Sequence, residues 1–266
     1  MIKINNIKIE QNQFPDNSLF MRFNPWDVGT AKQIVIEWYY ENDAELFTLI
    51  CLKRHLEESF KRFEYVLRMP YCPHARMDRV KTSEDVFTLK YFCEVINSLH
   101  FDLVVIEDPH SNVCTALLNN VDVVTPKASV NKVIKMIDDD SLVMFYPDAG
   151  AMKRYSDLTD LPFAYGEKKR NWETGRIESL EVIGKENIAG NAVLIVDDIC
   201  SYGGTFARAA KALREAGAVA VYLYVTHCED NVHNGDIFKN GDIDCVYTTN
   251  SIYTGKNDNS NGVIVL

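Results

Sequence analysis

Four apolar residues, Val193-Leu194-Ile195-Val196, run straight into two acids, Asp197-Asp198. After them come Ile199-Cys200-Ser201-Tyr202-Gly203-Gly204-Thr205 and then an amphipathic stretch, Phe206–Ala216, that stops at Gly217. A short unbroken apolar run bounded by turn residues is the pattern of a strand buried on both faces, and such strands belong to parallel sheets covered by helices. This one segment therefore commits the chain to an α/β architecture. It also delivers two carboxylates to the C-terminal edge of a strand, where open α/β sheets bind ligands. The glycine turn behind them presents backbone N–H groups and hydroxyls at a helix N-terminus, where anions are stabilised. Carboxylates in that place suit ribose hydroxyls or a metal, and the turn suits a phosphate. The plainer alternative is a strand–turn–helix junction with acidic capping residues.

The rest of the chain has the same alternation. Lys32–Glu37, Leu46–Cys51, Tyr65–Met69, Leu103–Glu107, Leu142–Tyr146 and Ala220–Thr226 read as strands. His55–Phe63 and Ser83–Leu99 read as helices, and Thr254–Gly262 reads as a polar turn before a last strand, Val263–Leu266. At 266 residues the chain has room for one large or two modest domains. A junction is expected near Pro126–Asn131, giving domains 1–128 and 129–266. With 47% apolar and 25% charged residues the chain is an ordinary globular one. Its formal net charge of -10 argues against a surface that coats nucleic acid, so a phosphate ligand must be held by local cations, backbone amides or a metal. Seven cysteines without a C-x-x-C argue against zinc and for a reducing, cytoplasmic compartment. No segment approaches about 18 continuous apolar residues and the N-terminus lacks a signal-peptide core, so no membrane role is expected.

At Val193–Thr205 the residues resemble the phosphoribosyl diphosphate (PRPP) loop shared by type I phosphoribosyltransferases and PRPP synthetases. Further segments are similar to the synthetases (ribose-phosphate diphosphokinases). Pro70-Tyr71-Cys72-Pro73-His74-Ala75-Arg76-Met77-Asp78-Arg79 resembles their Pro-Tyr-x-x-Tyr-Ala-Arg-Gln-Asp-Arg, which contacts ATP. Asp108-Pro109-His110-Ser111 resembles Asp-Leu-His-Ser, whose histidine ligates magnesium and touches the nucleotide. Pro147-Asp148-Ala149-Gly150 resembles a Pro-Asp-x-Gly turn that orders the metal–water cluster, and Glu167-Lys168-Lys169-Arg170 the start of a flexible catalytic loop. Val225-Thr226-His227 and Thr248-Thr249-Asn250-Ser251 also have counterparts. Singly, each string has an everyday explanation: a turn histidine, a surface ion-pair cluster, a solvated basic loop. Their ordered occurrence along nearly the whole chain is what carries the resemblance.

The resemblance implies two tandem phosphoribosyltransferase-like α/β domains with mainly parallel sheets, and an active site between them at C-terminal strand edges. It implies transfer of the β,γ-diphosphate of ATP to the C1 hydroxyl of ribose 5-phosphate, giving PRPP and AMP. Lys168 and Arg170 are then the catalytic cations. Phe14, Asp16, Arg76, Asp78, Arg79 and His110 bind ATP, with Phe14 and Asp16 supplied by a neighbouring subunit of a homo-oligomer. Asp197, Asp198, Ser201, Tyr202, Gly203, Gly204 and Thr205 hold the ribose and its phosphate. His110 and Asp148 ligate Mg²⁺. The last residues are expected to pack back on the N-terminal domain.

Several positions depart from the pattern. In Phe14-Pro15-Asp16-Asn17-Ser18 the family's glutamate is Ser18, and in Arg76-Met77-Asp78-Arg79 its glutamine is Met77. Tyr202 stands where a small hydroxyl residue meets the 5-phosphate, which would suit an acceptor whose phosphate is esterified. ADP-ribose, in NAD salvage, therefore remains an alternative acceptor. A phosphoribosyltransferase and a non-catalytic, synthetase-like regulatory subunit are the other readings; a regulator need not keep Lys168, Arg170, His110 and Asp148.

Overall fold

A computed structural model of the chain describes residues 1–29, 32–170, 177–239, 241–255 and 262–266, with only the backbone described for 168–170 and 177–180. It divides into two compact units, Met1–Thr125 and Pro126–Leu266.

The first unit opens with an antiparallel hairpin, β1 (Ile2–Ile4) and β2 (Ile7–Lys8), turned by Asn5 and Asn6 at positive φ. A second small hairpin, β3 (Asn12–Gln13) and β4 (Leu19–Phe20), stands apart from the main sheet. Then follow β5 (Gln33–Trp38), α1 (Ala44–Ser59), β6 (Glu64–Met69), α2 (Thr88–Asn97), β7 (Leu103–Glu107), α3 (Asn112–Leu117) and β8 (Val121–Val124). The six-stranded sheet has the order β2-β1-β5-β6-β7-β8. Its last four strands are parallel and lie in chain order. Right-handed crossovers all stepping in one direction put their helices on one face. One core cluster accordingly joins Ile34, Ile36, Val104 and Ile106 of the strands to Leu49, Leu52 and Leu56 of α1, Leu89, Phe92 and Ile96 of α2, and Cys114 of α3.

Leu46–Cys51, expected as a strand, lies inside α1. Its β-rich composition misleads because the buried residues Glu45, Thr48, Leu49, Leu52, Lys53 and Leu56 recur at helical spacing over the full element. Over that length the period outweighs local propensity. The helices expected at His55–Phe63 and Ser83–Leu99 are correspondingly displaced or shortened: α1 ends at Ser59, and Asp85 instead caps a turn by accepting from Lys81 and Thr82 N–H, each at 2.8 Å.

The second unit contains α4 (Lys127–Ile137), β9 (Val143–Tyr146), α5 (Ala149–Tyr155), β10 (Phe163–Arg170), β11 (Ile177–Ile183), β12 (Ala192–Cys200), α6 (Gly204–Glu215), β13 (Ala220–Cys228), β14 (Cys245–Thr248) and β15 (Val263–Val265). The seven-stranded sheet runs β11-β10-β9-β12-β13-β14-β15, parallel except for the β10–β11 ladder. It is buried on both faces. Val193, Ile195, Leu223 and Val225 pack with Phe206, Ala209 and Leu213 of α6. Leu194, Val196, Met144 and Tyr146 pack with Val130 and Val133 of α4 and Ala151 and Tyr155 of α5. β12 extends to Cys200, so Asp197 and Asp198 lie within the strand rather than after it. The final residues pair with β14 as the edge strand of this sheet, Val246, Tyr247 and Thr248 forming the ladder with Val263, Ile264 and Val265.

Candidate active site

After β9 the chain steps to one side of that strand to form β10, then returns to form β12 on the other side. Helices α5 and α6 thus leave adjacent strand ends toward opposite faces, which opens a crevice at the C-terminal edges of β9 and β12. Asp148 follows β9; Asp197 and Asp198 lie near the end of β12. Asp148 is the N-cap of α5, its Oδ1 accepting from the N–H groups of Gly150 and Ala151 at 3.0 Å each. Asp197 Oδ1 accepts from Asp198 N–H at 3.0 Å. Burial, the charge of Asp198 together with a hydrogen bond to it, and the charge of Asp148 push Asp197 well above the ordinary carboxylate range. The three predicted acids of this unit are therefore brought together, in surroundings that disfavour their common ionisation. Among the described residues no group of three or more His, Cys, Asp or Glu side chains converges to hold a metal ion.

The turn that follows is built as a phosphate cradle would be. Gly203 has φ +74, and a Cβ there would stand 2.8 Å from Ile237 Cβ, so glycine is required both for conformation and for space. α6 begins at Gly204 with no described side chain capping it, in contrast to α5, whose N-terminus Asp148 occupies. The first N–H groups of α6, including that of Thr205, are thus left for an external acceptor. Tyr202 is 57% exposed, and its carbonyl accepts from Asp236 N–H at 3.3 Å. The Ser201 hydroxyl donates to Glu229 Oε2 at 2.6 Å, while Glu229 N–H reaches Cys200 O at 2.8 Å. Behind the turn, His227 Nδ1 and Ser251 Oγ are 2.8 Å apart, and Ser251 and Thr249 hydroxyls both donate to Thr226 O. The late Thr226–His227 and Thr249–Ser251 strings therefore close the ends of β13 and β14 as a satisfied polar cluster.

In the first unit, the segments after β6 and β7 meet. Arg79 Nε donates to Asp78 Oδ1 at 2.9 Å. Burial works against ionisation of Asp78, but the hydrogen bond from Arg79, the nearness of Ser111 and the charges of Arg79 and His110 outweigh it, and its pKa falls below the usual value. His110 and Ser111 thus lie beside Asp78. Arg76 is exposed on the turn above them, which His74 makes possible by adopting φ +62. Cys72 and Cys114 sulfurs, 2.6 Å apart, tie the base of this segment to α3. Phe14 and Asp16 form the tip of the β3–β4 hairpin. Phe14 is 51% exposed with its ring 5.0 Å from that of Phe20. Asp16 Oδ1 accepts from the Ser18 hydroxyl at 2.6 Å and the Ser18 N–H at 2.9 Å, which lowers its pKa. The serine in place of glutamate serves to hold Asp16.

Lys168 and Arg170 lie on β10, paired with β11 through Lys168↔Leu180 and, past a bulge, Arg170↔Ile177. The segment is a strand up to Arg170 rather than the start of a loop, because β11 supplies a ladder partner from beyond residues 171–176, which are outside the described residues. The side chains of Lys168 and Arg170 are also outside them. Sequence reasoning did not single out Arg154, whose Nη1 is 3.7 Å from Asp198 Oδ1, nor Glu229 on Ser201. No local pattern marks either, since each finds its partner on another element.

A phosphoribosyl transferase domain model matches residues 137–248. The ribose-phosphate pyrophosphokinase of Sulfurisphaera tokodaii is 25% identical over 258 residues, covering 95% of this chain and 87% of that protein. The enzyme of the same name from Mycoplasma pneumoniae is 28% identical over 264 residues, covering 94% and 78%. Among solved structures, phosphoribosylpyrophosphate synthetase from Mycobacterium smegmatis superposes with a TM-score of 0.77 at 20% identity, over 97% of this chain and 85% of that one.

Proposed function

We propose that this chain, which belongs to the ribose-phosphate pyrophosphokinase family, transfers the β,γ-diphosphate of ATP to the C1 hydroxyl of ribose 5-phosphate, releasing AMP. The observation that carries the reading is the crevice at β9 and β12. It combines paired acids for vicinal ribose hydroxyls with the uncapped N-terminus of α6 for a phosphate at the other end of the sugar. A ribose phosphate carries both groups on one small molecule. In the first unit, Arg76, Arg79 and His110 would bind the triphosphate of ATP, and Phe14 at an exposed hairpin tip would stack on the base. Arginine's forked donors suit phosphate oxygens. Lys168 and Arg170 would stabilise the charge on the transferred group. Phosphoryl transfer demands little covalent help from the protein, so positioning and cations supply the rate.

The donor chemistry fits magnesium. Asp148 offers a hard carboxylate oxygen beside a crowd of acids whose mutual repulsion a divalent cation relieves, and Mg²⁺ takes few protein ligands besides water and phosphate. Asp148 of the second unit and, separately, His110 of the first are the residues proposed to bind magnesium, which when bound would neutralise the triphosphate. No helix among the described residues is long and apolar enough to cross a membrane; that the enzyme works as a cytoplasmic homo-oligomer is part of the same proposal.

Incubation with ATP, Mg²⁺ and ribose 5-phosphate should yield AMP and PRPP in equal amounts. A phosphoribosyltransferase would instead consume PRPP, and a regulatory subunit would give neither product; either result overturns the reading. ADP-ribose belongs in the same assay as the second acceptor, because the Tyr202 ring is exposed on the turn before α6 and would be available to stack on a group esterified to the phosphate. Tyr202→Thr should raise kcat/KM for ribose 5-phosphate relative to ADP-ribose if that ring sets acceptor choice, and an unchanged ratio removes it from that role.

A further inference from the structure

Arg154 has no part in the chemistry above, yet it makes contact with one of the two acids assigned to the ribose. It lies on α5, the helix that Asp148 starts, and its Nη1 stands 3.7 Å from Asp198 Oδ1. Asp198 is 5% exposed, so little water is left to solvate its carboxylate, and its neighbour along the strand is another acid, Asp197. An acid so placed needs a cation to stay both charged and fixed in direction. The guanidinium is itself braced. Nη1 donates to the Tyr155 hydroxyl at 3.3 Å, and the guanidinium carbon lies 5.5 Å from the Tyr155 ring centroid. Tyr155 is 1% exposed and anchored in the core, its carbonyl accepting from the Tyr146 hydroxyl at 3.1 Å. α5 thus grips two acids of the crevice by different means: Asp148 through its own first N–H groups, and Asp198 through Arg154 held against Tyr155.

We propose that Arg154 is a positioning residue for the acceptor sugar, holding the Asp198 carboxylate in the orientation that receives a ribose hydroxyl. It acts through Asp198 rather than on the substrate. Removing that cation leaves the repulsion between Asp197 and Asp198 less offset, and the Asp198 carboxylate less firmly directed at the sugar. The inference rests on the assignment of Asp197 and Asp198 to the ribose.

The test is steady-state kinetics on the full-length chain with Mg²⁺, varying ribose 5-phosphate and ATP in turn, for wild type, Arg154→Met and Arg154→Lys. Loss of a charge-assisted contact predicts a KM for ribose 5-phosphate raised about tenfold in Arg154→Met. The KM for ATP should stay within about twofold, and Arg154→Lys, which keeps the charge without the fork, should recover part of the loss. A purely structural ion pair would lower the melting temperature and leave this split unmoved. An unchanged KM for ribose 5-phosphate in Arg154→Met, or an equal rise for both substrates, overturns the inference. Should Arg154→Met fail to fold, Arg154→Gln provides the same comparison. Wild-type enzyme that releases no AMP would defeat the functional reading and this inference with it; normal wild-type turnover with an indifferent Arg154→Met defeats the inference alone.

Discussion

The first unit's four parallel strands cross the sheet in chain order, whereas the second unit's chain turns back on itself at β9. Both are made by the same alternation of strand and helix. The first packs all three helices into one core; the second sends α5 and α6 to opposite faces and builds two. Only a reversal parts neighbouring strand ends into a crevice. In the first unit the predicted ATP-binding residues Arg76, Asp78, Arg79 and His110 stand on the turns after β6 and β7 instead. The chemistry differs accordingly. Asp78 is paired with Arg79 and set beside His110, and its pKa is lowered; Asp197 is crowded by Asp198 and Asp148, and its pKa is raised. One edge has its acid already satisfied. The other holds acids whose crowding is costly.

The strongest way to break this comparison is at the cations. Lys168→Ala should lower turnover by about 10²- to 10³-fold with an unchanged circular dichroism spectrum. Turnover close to wild type would remove Lys168 from the reaction. Next is the cradle. A Cβ on Gly235 would lie 1.8 Å from the Tyr202 carbonyl oxygen, so Gly235→Ala must displace the turn before α6. The KM for ribose 5-phosphate should rise about tenfold while that for ATP hardly moves, a loss in the range of an overpacked site. An equal effect on both substrates would show that the second unit's edge is not the sugar side.

Two smaller effects test the acids directly, by calorimetry in magnesium-free buffer. Because the pKa of Asp197 is raised in the folded state, its contribution to stability is complete below the ordinary value near 4 and is lost as pH rises through the raised one. Asp197→Asn should therefore melt roughly 2–4 °C higher than wild type at neutral pH while losing activity, the difference closing toward about pH 4. Asp78 has the opposite sign: its lowered pKa contributes stability above about pH 4 that is lost as pH falls through the folded value. Asp78→Asn should cost about 1 kcal/mol or less at neutral pH and nothing in strong acid. The same sign in both variants would erase the contrast between the two edges.

The parts of the site that could be read from the sequence are those in which one short segment carries both the fold signal and the chemistry. Val193–Thr205 is such a segment: its apolar run and the two acids after it form β12, and its glycines start α6. The Pro147-Asp148-Ala149-Gly150 turn singles out Asp148, although its role as the cap of α5 appears only in the structure. Leu46–Cys51 was misread because a window of six residues cannot show a period that takes sixteen to emerge. Phe163–Arg170, five of whose eight residues are charged or glycine, carries no strand pattern; it is a strand because β9 and β11 offer ladders on both sides. Arg154 and Glu229 were invisible for a related reason, being ordinary surface-type residues until another element brings an acid or a hydroxyl to them.

Local order in the chain was enough to determine the α/β class, the buried strand β12, its two acids, and the glycine turn leading into α6, because these depend on neighbours along the backbone. Where the last strand joins, which way the sheet turns, and which cation faces which acid were decided only in three dimensions. Those outcomes depend on strand pairing and on desolvation, and both are set by residues far apart in sequence: Asp148 raises the pKa of Asp197 from another strand end, and Arg154 reaches Asp198 from another helix.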